Sequence, residues 1–149
     1  MTTRYVHTNI VCEDWQALAR FYQESFDCRP IPPKRDLSDD WLARGTGVPG
    51  AALQGIHLRL PGYGENGPTL EILQYSVFEP NDEPLANRKG YGHIAFHVDD
   101  VTAVRDEVLK HGGAELGQIV EADLPGVGHL TFVYLTDPEG NILEIQNWS

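Results

Sequence analysis

The segment H-T-N-I-V-C-E-D-W, His7–Trp15, returns in altered form as H-I-A-F-H-V-D-D-V, His93–Val101. Histidine aligns with histidine, and Glu13-Asp14 with Asp99-Asp100. The triplet L-E-I also occurs twice, at Leu70–Ile72 and Leu143–Ile145, late in each half. Self-similarity of this kind marks a duplicated supersecondary unit, which restricts the chain to folds built from two copies of one module. Tyr5–Cys12 alternates, with Val6, Thr8, Ile10 and Cys12 on one face and Tyr5, His7, Asn9 and Val11 on the other. Behind it Trp15, Leu18, Tyr22 and Phe26 recur at helical spacing, with Asp14 as N-cap. In the second copy Gly92–Val98 is the strand, and Asp99-Asp100 caps a helix carrying Val101, Val104 and Val108 that Gly112-Gly113 ends.

Further strands follow in each half: residues 52–60 and 69–75 around P-G-Y-G-E-N-G-P, then 130–135 and 141–146 around T-D-P-E-G-N. Arg29–Gly50, rich in Pro, Gly and Asp, reads as a loop, and Ser76–Gly90 as a connector. The fold expected is α+β: two paired βαβββ modules forming a cupped, mostly antiparallel sheet with helices on the outer face. A single domain over 1–149 is expected, with module one at about 1–76, the connector at about 77–90 and module two at about 91–149.

Bulk properties narrow the partners. A net charge of −11 argues against nucleic acid, which needs a basic footprint, and against anionic membrane surfaces. No apolar run approaches the roughly 20 residues of a spanning helix, and the first residues lack the apolar core of a signal peptide. Two cysteines, Cys12 and Cys28, outside any C-x-x-C, fit a reduced cytoplasmic setting.

Parity then picks out four residues. Val6 and Thr8 flank His7, Leu70 and Ile72 flank Glu71, Gly92 and Ile94 flank His93, and Leu143 and Ile145 flank Glu144. Side chains alternate across a strand, so the apolar flanks face the helices and all four polar residues face the other side. Any one of them alone would pass as a solvated strand residue. Two carboxylates and two imidazoles with common parity, one pair per repeat, point instead to one divalent cation. Isolated buried carboxylates cost several kcal/mol or are neutralised, whereas two Glu⁻ and two neutral His cancel a 2+ charge. The donor set suits Zn, Ni, Co, Mn or Fe. His97 is no ligand partner for His93, since four residues of strand span ~13 Å. His111, in the last helical turn, reads as a dipole partner.

These residues resemble the vicinal oxygen chelate superfamily, the glyoxalase/bleomycin resistance/dioxygenase group. The likeness runs over nearly the whole chain and is carried by H-T-N-I-V-C-E-D-W…F-Y, by Y-G-H-I-A-F-H-V-D-D-V with H-G-G, and by F-V-Y-L-T-D-P-E-G-N-I-L-E-I. It implies a cup of two βαβββ modules around a metal, built within one chain or across a homodimer, with His7, Glu71, His93 and Glu144 as ligands. A carboxylate in T-L-E-I-L-Q-Y is similar to glyoxalase I and the methylmalonyl-CoA epimerases. That implies proton abstraction next to a carbonyl through a metal-held enediolate, with Glu144 or Glu71 as base. Val11 stands where glyoxalase I has an arginine for glutathione, and Ser76 replaces an asparagine expected after Tyr75; both departures weigh against glutathione as the substrate. A small-molecule substrate would be oriented by Asn9, His57, Arg59, Tyr75, His97, Gln146 and Trp148, with Arg59 suited to an anionic group. The loop holding Trp41 is a candidate lid. Two alternatives are an extradiol-type Fe(II) dioxygenase and a non-catalytic drug- or metabolite-binding protein.

Overall fold

The computed structural model describes residues 1–149, which divide into two compact units, Met1–Pro80 and Asn81–Ser149. The division falls inside the expected connector.

The first unit runs β1 (His7–Val11), α1 (Trp15–Phe26), β2 (Arg29–Leu37), α2 (Asp40–Thr46), β3 (Leu53–Arg59) and β4 (Thr69–Tyr75). Asp14 starts α1 as expected, its carboxylate accepting from the Ala17 N–H at 2.9 Å. This satisfies one of the N–H groups a helix start leaves without a partner. The apolar stripe Trp15, Leu18, Ala19, Phe21, Tyr22 and Phe26 is buried over β3 and β4, whose Leu58, Leu70 and Ile72 are closed to solvent. At roughly 1.5–3 kcal/mol for each large side chain buried, this packing outweighs any local propensity. The strand order is β1-β4-β3-β2, with β1 parallel to β4 and the other pairs antiparallel.

Arg29–Gly50 is not a loop. Its first part is β2, whose prolines are tolerated because β2 is an edge strand, where a missing N–H costs little. The β2–β3 register shifts between Ile31 and Arg35, where Pro32 and Pro33 lie. Its second part is α2, which sets Leu42 onto Leu53 and Leu73, with Ala51 beside them and Leu37 and Tyr75 at the margin. Local composition hid both elements, because an edge strand and a two-turn helix are stabilised by what they pack on.

The second unit runs β5 (Ile94–His97), α3 (Val101–Lys110), β6 (Ala114–Glu115), β7 (Val120–Leu124), β8 (Gly128–Thr136) and β9 (Ile142–Trp148). Asp100 caps α3 through the Ala103 N–H at 2.9 Å. Gly112, at φ 96°, supplies the left-handed turn that lets the Gly113 N–H reach the Val108 carbonyl at 2.9 Å. Val101 and Val108 are buried on α3, which packs on β8 and β9, where Val133, Leu135, Leu143 and Ile145 are buried. The order is β5-β9-β8-β6, with β7 also pairing with β8, and β5 is parallel to β9. β7 alternates as V-E-A-D-L, yet all five of its residues are exposed, so neither of its faces joins the core.

The duplication holds at the level of register. In the first unit Asn9, two residues after His7, stands opposite Glu71. In the second, Ala95, two residues after His93, stands opposite Glu144. Each unit therefore lays a histidine at the mouth of its first strand and a glutamate on the parallel strand beside it. No helix is long and apolar enough to cross a membrane.

Candidate metal centre

In the first unit His7, His57 and Glu71 share the sheet face opposite the α1-facing core. The Glu71 carboxylate stands between two imidazoles: His57 Nε2 is 2.8 Å from one oxygen, and His7 Nε2 is 3.7 Å from the other. The two rings meet edge-on, with centroids 5.6 Å apart. The donor atoms of the three residues all lie within 4.8 Å of one another. An ion about 2.1 Å from each would hold them no more than about 4.2 Å apart, so closing the trio takes sub-ångström adjustment. Burial chiefly holds the His57 imidazole below its ordinary value, assisted by Arg35 and His7 and opposed by Glu71. The His57–Glu71 contact, at 2.8 Å, is of hydrogen-bond length.

The second unit carries the matching pair. His93 Nε2 lies 3.0 Å from a Glu144 oxygen, and the Glu144 side chain is only 13% exposed. Tyr134, directly opposite Glu144 in the β8–β9 pairing, places its ring 4.6 Å from that of His93. Phe132 continues this aromatic wall, 5.8 Å from Tyr134. Burial, and then the Glu144 carboxylate, push the Tyr134 phenol above its ordinary value. The T-D-P-E-G-N turn holds β9 in place: the buried Asp137 accepts from the backbone N–H groups of Glu139 and Asn141 and from the Asn141 side chain.

The other residues read from the sequence fall at varied distances from these pairs. The Asn9 amide donates to the Glu71 carbonyl at 3.1 Å, tying β1 to β4. The Arg59 guanidinium donates to the Glu65 carbonyl in the β3–β4 connection. Tyr75 packs against the Leu42 cluster, the Trp148 indole donates to the Gln146 side chain, and His97 is exposed at the end of β5. Tyr134 and Phe132 were absent from the sequence reading. Their signal was present, since Val133 and Leu135 belong to the core and alternation sends 132 and 134 to the Glu144 side.

Residues 4–145 match the model of the Glyoxalase/Bleomycin resistance protein/Dioxygenase superfamily, and the chain belongs to that family. No curated protein matches it. A glyoxalase family protein from Bacillus cereus superposes with a TM-score of 0.83 at 17% identity, covering 99% of this chain and 95% of that one. A glyoxylase/bleomycin resistance protein/dioxygenase domain from Frankia sp. EAN1pec follows at TM-score 0.64, 18% identity and full coverage of both. The fosfomycin resistance protein FosX from Listeria monocytogenes, in complex with Mn(II) and sulfate ion, gives 0.55 at 14% identity, covering 100% and 95%. At these identities the likeness is one of fold. The superfamily includes metal-dependent enzymes, and the nitrogen and oxygen donors of the two pairs are those a divalent ion of the Zn–Mn range accepts.

Proposed function

We propose that the protein is a divalent-metal-dependent enzyme that removes a proton from the carbon next to a carbonyl, a lyase, isomerase or epimerase of the glyoxalase I type acting on a small molecule in the cytoplasm, alone or as a homodimer. The observation that carries this reading is the His–Glu pair that recurs at the same register position in both units. The donors proposed for a Zn, Ni, Co, Mn or Fe ion are His7 and Glu71 in the first unit and His93 and Glu144 in the second. Such an ion supplies Lewis acidity to a substrate oxygen.

Glu144 takes the proton. Its side chain is paired with His93 alone, whereas Glu71 is engaged by two histidines, so Glu144 is the freer of the two carboxylates. The Tyr134 ring stands directly opposite it across the β8–β9 pairing, with Phe132 beside Tyr134. Asn9, Arg59, Tyr75, His97, Gln146 and Trp148 orient the substrate, with Arg59 available to an anionic group.

Protein purified without chelator should carry near-stoichiometric divalent metal by elemental analysis. Glu144→Gln should slow exchange of the substrate α-proton with solvent deuterium by roughly 10²–10⁴-fold, screened on 2-oxoaldehyde–thiol adducts and acyl-CoA thioesters. Full activity in a metal-free preparation would overturn the reading. One observation favours a second: His7, His57 and Glu71 make a two-His-one-carboxylate set within a single unit, the pattern of Fe(II) dioxygenases. Oxygen uptake with catechols is its test.

A further inference from the structure

His57 and Tyr134 occupy equivalent places in the two units. His57 stands directly opposite Glu71 in the β3–β4 pairing, and Tyr134 directly opposite Glu144 in the β8–β9 pairing. Each sets its ring beside the histidine of its own unit, at 5.6 Å and 4.6 Å. The chemistry then diverges, because His57 bonds its glutamate while Glu144 has His93 as its partner.

The two imidazoles near Glu71 relate to it differently. His57 Nε2 to Oε2, at 2.8 Å, is a hydrogen-bond length. His7 Nε2 to Oε1, at 3.7 Å, is too long for one and close to the separation of neighbouring ligands on a common ion, roughly 3.0–3.4 Å for bonds of about 2.1 Å. On its far side His57 Nδ1 lies 3.1 Å from the Thr69 hydroxyl, itself on β4 two residues before Glu71 and on the same face. If that hydroxyl donates to Nδ1, the ring proton sits on Nε2, the atom facing the carboxylate.

Resting on the metal-centre reading above, we infer that His57 is a positioning residue: with Thr69 fixing its tautomer, it grips Oε2 of Glu71 and turns Oε1 toward the ion beside His7. Glu71 is thereby a fixed ligand.

The test is Zn(II) and Mn(II) affinity of the full chain, measured by competition with a chromophoric chelator and alongside thermal unfolding of the metal-free forms. His57→Leu should weaken binding about 10–100-fold, the usual effect of losing an outer hydrogen-bond partner of a ligand. His57→Gln, which returns an amide donor near the Nε2 position, should recover most of that loss. Thr69→Val should show a smaller loss, and it carries the test alone if His57→Leu does not fold. Parent-like affinity in His57→Leu and Thr69→Val would overturn the inference. So would a His57→Gln protein as weak as His57→Leu whose Co(II) spectrum reports one ligand fewer, because His57 would then itself be a ligand. A parent protein that takes up neither metal would defeat the metal-centre reading first, before any variant is compared.

Discussion

Gly55 lies on β3 opposite Leu73 of β4, two residues from His57, and it tests how tightly the site depends on strand spacing. A Cβ built there would come 2.0 Å from the Ile72 carbonyl oxygen and 2.8 Å from Leu73 Cδ2. The first contact is with backbone, so no rotamer change relieves it, and β3 and β4 must part by about 1 Å. Overpacking of this kind costs typically 1–3 kcal/mol, and a backbone clash belongs at the upper end. The stiffer unfolded chain of alanine returns only about 0.4–1 kcal/mol. Gly55→Ala should therefore destabilise the protein by about 2 kcal/mol. With a urea dependence of roughly 2 kcal/mol per molar, the unfolding midpoint falls by about 1 M. The same parting stretches the 2.8 Å His57–Glu71 hydrogen bond beyond about 3.6 Å, where it no longer counts as one, so metal affinity should drop toward that of His57→Leu. Urea titration followed by circular dichroism, with chelator competition on the folded protein, measures both. A Gly55→Ala protein with a parent-like midpoint would refute the reasoning.

Asp137→Ala should cost about 1–3 kcal/mol, since it removes a buried acceptor and leaves the half-buried donors of the β8–β9 turn unsatisfied; an Asn141→Ala variant in the same denaturation assay should lose less. His129 is hydrogen-bonded to Asp123 at 2.7 Å on the β7–β8 hairpin, and that contact, with the charges of Asp123 and Glu121, raises its pKa. The stabilisation it lends the hairpin is accordingly present below the ordinary histidine range and fades as pH climbs through the raised value. An NMR titration should show His129 above the ordinary value and Asp123→Asn returning it downward. Cys28 is buried, and burial, aided by Asp27, pushes its thiol up to about 12. Native protein should resist thiol reagents at pH 8, and urea-unfolded protein should label at both cysteines; fast native labelling of Cys28 would contradict its burial.

The two His–Glu pairs were legible in the chain because their signals are local. Alternation about Leu70–Ile72 and Leu143–Ile145 assigns each glutamate a face, and repetition of His7 at His93 supplies the partner. The helix caps were legible for the same reason: Asp14 and Asp100 act within one turn of their own helices. Residues 29–50 were misread because β2 is an edge strand and α2 exists to cover Leu53 and Leu73, a requirement written in other parts of the chain.

His57 shows where local reading stops. Its face followed from parity, yet nothing in G-I-H-L-R-L states that it stands opposite Glu71, or that Tyr134 stands opposite Glu144. Those facts depend on which strands pair and in what register, and a one-residue slip would turn every side chain to the other face. Sequence alone therefore determined which residue types are offered and on which side. Tertiary structure decided which of them touch, because strand pairing is set by packing the whole apolar face at once, and no short segment contains that information.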